Sequence, residues 1–212
     1  MPEEIGLFEA INSQRAIREF KPDPVPDELI RKLIESATKA PSGSNRQAWK
    51  FLVIKDVELK RKIGEYYNRA RESRYGGAAP ASNVPARRRA ASNYMAEHLH
   101  EVPVLILACI EHDGSPSTMS RGGSIYPAVQ NLLLAAQGLG LGSVITSLHK
   151  RYEDEIKALL GIPENVETAA LLPVGYPGGR SRYGPTTRTP VDEVTFYDRW
   201  GVSAGNTSGN LE

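Results

Sequence analysis

The spacing of hydrophobic residues predicts six helices along the chain. In each, apolar residues recur at intervals of three and four, which places them on one face of a helix. The helices are expected at residues 5–13, 26–40, 59–67, 125–137, 153–160 and 191–200. The fourth has the most regular pattern, so we expect it to lie at the centre of the core; its apolar face consists of Ile125, Ala128, Val129, Leu132, Leu133 and Ala136.

Short runs of apolar and β-branched residues predict four strands between these helices. They cover residues 49–54, 102–110, 141–146 and 168–175. The second run is apolar throughout, which is typical of a strand covered on both faces. Because helices and strands alternate along the chain, we expect a layered α/β or α+β sheet protein.

The composition favours a single domain. With 212 residues, 40% of them apolar, the chain can bury one substantial core. We expect this domain at residues 1–200, with an arginine-rich segment at 68–100 and a disordered tail at 201–212. The net charge is +1, so no overall attraction to nucleic acid or to an anionic membrane is expected.

Cys109 and the N-terminal residues indicate the cellular compartment in which the protein is expected. Cys109 is the single cysteine and lies inside an apolar run, so we expect a buried thiol, which fits a reducing compartment. The acidic start Met1-Pro2-Glu3-Glu4 differs from the basic start of a signal peptide. The apolar runs are much shorter than the roughly 20 residues of a membrane span. We therefore expect a cytoplasmic protein.

The segment at residues 69–89 is unusually basic. It contains Arg69, Arg71, Arg74, Arg87, Arg88 and Arg89, opposed by Glu72 alone. Such a charge attracts anions at moderate salt. Two interpretations stay open: a solvated loop followed by a basic helix, or a lid that favours anionic substrates or the phosphates of NADPH.

Two segments in the first fifty residues carry groups suited to a ligand site. In Gln14-Arg15-Ala16-Ile17-Arg18, the two arginines share one face if the backbone is helical. In Pro41-Ser42-Gly43-Ser44-Asn45-Arg46-Gln47, small residues allow close approach of the backbone, and the hydroxyls and amides offer donors and acceptors. Taken singly, the first segment also fits a charged surface and the second a loop that ends a helix.

The order of these segments resembles the flavin-binding signature of the nitroreductase family. Gly138-Leu139-Gly140-Leu141-Gly142-Ser143, followed by Val144-Ile145-Thr146-Ser147, is similar to the family's glycine-rich turn after the central helix. A Rossmann phosphate loop follows a strand and precedes a helix. The glycines here follow a predicted helix and precede a predicted strand, so this alternative is excluded. Arg188-Thr189-Pro190 is similar to the closing pattern of the family, in which a late arginine contacts the FMN phosphate.

The resemblance implies an α+β fold with three layers, in which helices flank a central, mostly antiparallel sheet. It implies FMN as cofactor and NAD(P)H as reductant, with hydride passing through flavin N5 to a nitroaromatic, a quinone or a related acceptor by a ping-pong mechanism. No catalytic side chain is implied, since the flavin carries the chemistry. It further implies a homodimer with FMN at the subunit interface and no nucleic-acid or membrane partner.

The resemblance also implies which residues contact FMN. Arg15, Arg18 and Arg188 come from one subunit, with Arg180 and Arg182 as competitors for the role of Arg188, and residues 41–45 come from the other subunit. An amide near Thr146 and Ser147 hydrogen-bonds N5. Gln14 and Ala16 stand where many relatives have Arg and Ser, so weaker binding of the phosphate is expected, and Ala48 stands where a proline is common. The full expected set is Gln14, Arg15, Ala16, Arg18, Pro41, Ser42, Gly43, Ser44, Asn45, Gln47, Ile145, Thr146, Ser147 and Arg188.

Other functions compete with this interpretation. A flavin-binding or flavin-breakdown relative without this turnover is one alternative, and a basic interaction protein acting through residues 69–89 is another. A metal site is disfavoured because His98, His100 and His112 lack recurrent Cys or carboxylate spacing. There is no Gly-x-Ser-x-Gly elbow. The basic segment lacks the interleaved aromatics of a single-strand binding surface.

Overall fold

A computed structural model describes residues 5–75 and 85–203, which form an antiparallel sheet with helices packed on both faces. The strands are β1 (Trp49–Ile54), β2 (Val104–Glu111), β3 (Gly142–Ser143) and β4 (Val166–Gly175). The helices of the described residues are α1 (Leu7–Ser13), α2 (Asp27–Ala37), α3 (Val57–Tyr75), α4 (Ala86–Glu97), α5 (Met119–Gly138), α6 (Glu153–Leu160) and α7 (Val191–Val194).

The sheet has the strand order β1-β2-β4-β3, and all neighbouring strands are antiparallel. Strand β2 pairs on both sides, so that Leu107 lies opposite Leu52 in β1 and Leu171 in β4. Successive side chains of a strand point to opposite faces. Ile106 therefore packs in the core on one face, while Leu105 and Leu107 pack in the core on the other. This explains why the sequence of β2 is apolar from Val104 to Ile110.

Helices cover each face of the sheet. On one face, α2 and α5 pack against the sheet through Leu33, Ala37, Val129 and Leu132. On the other face, α3, α4 and α6 contribute Ile63, Met95 and Ile156 to a second core. The result is a layer of sheet between two layers of helix. The expected α+β fold with three layers and an antiparallel sheet is confirmed.

Two expected elements are shorter in the structure. Strand β3 is limited to Gly142–Ser143, and the remainder of residues 141–146 joins the sheet only through a single bridge between Thr146 and Leu171. The last helix ends at Val194, because Thr195 adopts extended backbone angles and Asp198 has a φ of 60°. A left-handed residue interrupts a right-handed helix, so the expectation of a helix reaching Trp200 was wrong.

Three stretches of the sequence interpretation lie outside the described residues. They are the amino terminus at 1–4, the middle of the basic segment at 76–84 and positions 204–212 of the expected tail. On either side of 76–84, the basic segment belongs to the end of α3 and the start of α4. Cys109 is buried, as expected.

Neither a membrane span nor a metal cluster emerges in residues 5–75 and 85–203. Across these ranges, every helix is too short or too polar to cross a bilayer. No group of three or more His, Cys, Asp or Glu side chains there is arranged to hold a metal ion.

Candidate functional site

An open cavity of about 970 Å³ lies beside the sheet, bordered by the segment that follows α1. Its volume is at the upper end of the range for small-molecule sites, about 300–1,000 Å³. Five parts of the chain form its walls: residues 14–19, one face of α4, Gln130 and Leu133 of α5, residues 144–145 and the loop at 180–188. The two arginine-bearing segments expected from the sequence, near Arg15 and near Arg188, therefore lie around the same cavity.

The backbone of the first segment is extended rather than helical. Helix α1 ends at Ser13, and Gln14 already has a ψ of 127°. Ile17 is fully buried, and its amide donates to the carbonyl oxygen of Ser143 at 3.1 Å. Arg15 and Arg18 therefore do not share a helix face as the spacing allowed, but both line the cavity because buried Ile17 fixes the chain between them.

Gly142 makes the close packing of this segment possible. A Cβ atom at position 142 would lie 2.5 Å from Cγ2 of Ile17, far inside van der Waals contact. Gly142 also pairs with Gly175 in the sheet. The glycine-rich turn after the central helix thus seats the arginine segment on the edge of the sheet.

Ser181 joins the arginine segment to the late loop. Its side-chain oxygen accepts hydrogen bonds from the amides of Arg18 and Glu19, at 3.2 and 3.1 Å. The carbonyl oxygen of Glu19 accepts from the amide of Gly178 at 2.9 Å. These bonds hold two walls of the cavity together although they are about 160 residues apart in sequence.

The charge around the cavity is strongly positive. Its lining contains one acidic residue, Glu19, and seven arginines: Arg15, Arg18, Arg87, Arg88, Arg180, Arg182 and Arg188. The pKa of Arg18 is lowered, chiefly by burial; Tyr67 raises it and the positive charge of Arg88 lowers it further. Arginines stay protonated at neutral pH. A cluster of this kind is stabilised by an anionic ligand.

In the stretch Ile145-Thr146-Ser147, only Ile145 lines the cavity. Ile145 is exposed and lines the cavity, while Thr146 is buried. The Thr146 amide donates to the carbonyl oxygen of Leu171 at 3.1 Å, and its hydroxyl donates to the Tyr67 hydroxyl oxygen at 2.6 Å. The amide of Ser147 has no acceptor among the described residues. Of the two amides expected near a ligand, that of Ser147 is therefore the one without an acceptor in the part of the chain that the structure describes, but Ser147 does not line the cavity.

The loop at residues 41–47 lies apart from this cavity. Gly43, Ser44, Asn45 and Gln47 are exposed, and no residue of the loop lines the cavity. Ser44, Asn45 and Gln47 have φ values of 51°, 53° and 51°, which non-glycine residues rarely adopt. The loop is held by the Gln47 amide donating to Ser42 Oγ and the Gly43 amide donating to Ser124 Oγ. Strained, exposed backbone of this type is common at ligand sites.

Sequence reasoning missed several residues of the site. Arg87, Arg88 and Tyr94 of α4 line the cavity; the two arginines were noted in a basic segment that could favour anionic ligands, but their position was not predicted, and Tyr94 was not considered. Ser181 carried no local signal, because its role depends on a contact with residues far away along the chain. Tyr67 was seen only as part of an apolar helix face.

The chain is similar to several proteins of one family. The model of the nitroreductase family matches residues 11–176. Iodotyrosine deiodinase 1 of Mus musculus is 31% identical over 194 residues, which are 89% of this chain and 68% of that protein. A protein of Methanothermobacter thermautotrophicus, provisionally named NADH dehydrogenase/NAD(P)H nitroreductase, is 30% identical over 201 residues, which are 92% of this chain and 88% of that protein.

A solved structure shares the fold. It is that of oxidized iodotyrosine deiodinase bound to FMN and 3-iodo-L-tyrosine, with a TM-score of 0.72 and 28% identity. The match covers 90% of this chain and all of the other. The family match spans most of the chain, including the arginine segment, the loop at 41–47 and the glycine-rich turn. On these grounds, the chain belongs to the nitroreductase family.

Proposed function

We propose that the protein is an FMN-dependent oxidoreductase that passes hydride from NAD(P)H to a nitroaromatic, a quinone or a related acceptor. The observation that carries the proposal is the cavity of about 970 Å³ with seven arginines and one carboxylate in its lining. FMN combines a dianionic phosphate with a flat ring, so it needs fixed positive charge next to a roomy slot. FMN is present in the related structure of iodotyrosine deiodinase.

The donor groups around the cavity fit the phosphate of FMN. Arg15 and Arg18 lie on the segment anchored by Ile17, and Arg188 lies on the facing loop. Guanidinium groups form bidentate, charge-assisted hydrogen bonds with phosphate oxygens. We assign the phosphate to these three arginines, with Arg180 and Arg182 as neighbouring cations. Gln14 and Ala16 complete this wall, and the small side chain of Ala16 leaves room for the ligand.

A second copy of the chain would supply the rest of the site. Within one chain, the loop at 41–47 does not reach the cavity, yet its exposed Ser, Asn and Gln groups are suited to the polar edge of a flavin. We propose a homodimer in which this loop covers the cavity of its partner. The exposed apolar residues Leu7 and Phe8 of α1, which are 65% and 78% exposed, are available to an interface.

The protein's own residues would bind and orient, while bound FMN supplies the redox chemistry. The arginines hold the anionic end, and the free amide of Ser147 is available to a ring nitrogen or oxygen. Ile145 offers an apolar surface for the ring in the cavity lining. A quinone would gain one hydride and one proton to give a hydroquinone, and NAD(P)⁺ would leave. No acid or base side chain of the chain is assigned to this transfer.

Anaerobic reduction tests the proposal. The protein is loaded with FMN, and the flavin absorbance is followed as NADH or NADPH is added without oxygen. Bleaching by either nucleotide, followed by recovery when a quinone or nitroaromatic is added, is the expected result. Initial rates at several concentrations of both substrates should give the parallel lines of a ping-pong mechanism. FMN that stays oxidised with both nucleotides would refute the proposal.

Reductive deiodination is a second candidate. It is favoured by the similarity to iodotyrosine deiodinase 1 over 89% of this chain and by the shared fold with the structure bound to 3-iodo-L-tyrosine. In this reaction hydride replaces iodine on the ring, so that the products are tyrosine, iodide and NAD(P)⁺. Iodide release from 3-iodo-L-tyrosine, measured with dithionite and with NADPH as reductant, separates this activity from quinone or nitro reduction.

A further inference from the structure

One face of α4 forms a wall of the cavity. Arg87, Arg88, Ala90, Ala91 and Tyr94 all line it. Their spacing of one, three, four and seven residues puts them on one side of a helix. The wall therefore has two cationic groups at one end, two small side chains in the middle and an aromatic ring at the other end.

The two arginines at the cationic end of the wall do not stabilise the fold. Among the residues that the structure describes, no acidic side chain pairs with Arg87 or Arg88, and the first turn of α4 contains no acid. Cations in the first turn oppose the helix dipole. The nearby charge of Arg88 lowers the pKa of Arg18, after burial and against the effect of Tyr67. Like charges at this distance cost folding free energy unless an anion lies among them.

The aromatic end is held in place. The ring of Tyr94 stacks on that of His98, with centroids 4.0 Å apart and an interplanar angle of 16°. Tyr94 is 44% exposed, so a ligand can reach it. Arg88 and Tyr94 are six residues apart, which corresponds to roughly 9 Å along the helix axis. That length fits an aromatic ring, its carboxylate and a hydrogen bond to a guanidinium group.

We propose that this wall selects a planar aromatic substrate that carries a carboxylate. Arg87 and Arg88 bind the carboxylate, while Tyr94, Ala90 and Ala91 contact the ring. The inference rests on the proposed function, because it concerns the acceptor side of the same cavity, and it narrows the acceptor to an aryl acid. The phosphate of the adenosine end of NADPH is a competing anion for these arginines, and the titrations below distinguish it from an aryl carboxylate.

Calorimetric titration with benzoate and with its neutral analogue benzamide tests the inference. The FMN-loaded protein is titrated at 0.15 M salt, where long-range attraction is screened. We expect R87Q and R88Q each to raise the Kd of benzoate about tenfold, the effect of one charge-assisted hydrogen bond. The Kd of benzamide should change less than about twofold. Lysine at either position should restore part of the benzoate affinity.

R89Q is the matched control on the same helix. It removes the same charge from the adjacent position, but Arg89 does not line the cavity, so benzoate affinity should stay within about twofold. The affinity for FMN is measured separately in every variant. Because calorimetry needs no turnover, a protein that binds FMN and benzoate without oxidising NAD(P)H would refute the proposed function and leave the inference standing.

Four results would overturn the inference. The first is that wild-type protein does not bind benzoate. The second is that R87Q and R88Q raise the Kd of benzoate and the Kd of benzamide by the same factor. The third is that FMN affinity falls together with benzoate affinity, which would assign both arginines to the flavin phosphate. The fourth is that the two variants lower the affinity for NADPH but leave the affinities for NADH and benzoate unchanged. Arg87 and Arg88 would then bind the additional phosphate of NADPH.

Discussion

The hydroxyl of Thr146 donates a hydrogen bond to the hydroxyl oxygen of Tyr67, and the two oxygens are 2.6 Å apart. Both residues are buried. This bond links α3 to the stretch whose neighbours, Ile145 and Ser147, are exposed on the opposite side. The Tyr67 side chain therefore supports the part of the cavity wall that contains Ile145.

Tyr67→Phe should therefore leave a buried hydroxyl at Thr146 without its partner. We expect the free energy of unfolding, measured in urea, to fall by about 1–3 kcal/mol. Thr146→Val alone should have a similar cost, and the double variant should cost less than the sum of the two. Strictly additive costs would mean that the hydrogen bond contributes no coupling.

Arg18→Ala should weaken FMN binding while the fold is kept. The loss of one charge-assisted contact predicts a Kd for FMN about tenfold or more above wild type, measured by fluorescence titration. Arg31→Ala is the control, since Arg31 lies on the exposed face of α2 and pairs only with Glu35 at 2.8 Å among the described residues. Unchanged FMN affinity in Arg18→Ala would refute the assignment.

Gly142→Ala should damage both stability and the cavity. The added methyl group would overlap buried Ile17, and overpacking of this kind costs about 1–3 kcal/mol. Since Ile17 anchors the arginine segment, FMN affinity should fall as well. Gly138→Ala is the matched control, because a Cβ there would lie 3.6 Å from Ile5, an ordinary contact. Equal stability of the two variants would contradict the packing argument.

His149 should make stability depend on pH between about 4 and 6.5. It is fully buried, with Nε2 3.1 Å from Thr168 Oγ1. Its pKa is lowered to about 4, chiefly by burial and also by the charge of Lys150, while Glu153 raises it. The unfolded chain, with a histidine pKa near 6.5, then binds more protons in this range. Stability is therefore complete above pH 6.5 and is lost as the pH falls.

The expected loss is about 2 kcal/mol between pH 7 and pH 5. His149→Gln keeps a donor for Thr168 but does not titrate, so its unfolding free energy should change little over the same interval. Urea denaturation at several pH values measures both proteins. A slope in His149→Gln as steep as in wild type would assign the pH dependence to other groups.

The sequence predicted the layers of the fold well, because they depend on local hydrophobic patterns. Strand β1 at Trp49–Ile54 and helix α6 at Glu153–Leu160 were expected with these bounds. Helix α6 is followed by Gly161, whose φ of 65° suits glycine and ends the helix. Strand β3 was overestimated because the pairing of an edge strand depends on its neighbours. The length of the last helix was overestimated because the helical spacing of apolar residues continues beyond Val194, where the helical backbone ends.

The site was only partly predictable. Arg15, Arg18 and Arg188 were expected in one site, and the structure brings them to one cavity. Ser181 could not be found, because it acts through the backbone of a segment more than 160 residues earlier. The wall on α4 was also missed: the arginines at 87 and 88 were conspicuous, but only tertiary packing determines which helix face meets the cavity.

Mixing two defective variants tests the central claim, an FMN site built from two chains. One variant carries R18A and R188A, and the other carries N45A and Q47A in the loop. Each alone should form a dimer that does not retain FMN. When the two are unfolded and refolded together, about half of the dimers should be mixed, each with one intact site formed by a normal cavity and a normal loop.

Bound FMN is measured after gel filtration of the refolded mixture. The account predicts recovery of about one quarter of the wild-type FMN content, because each mixed dimer of a two-fold symmetric pair regains one of its two sites. No recovery of FMN in the mixture, although the two variants form mixed dimers, would contradict a site shared between two copies of the chain.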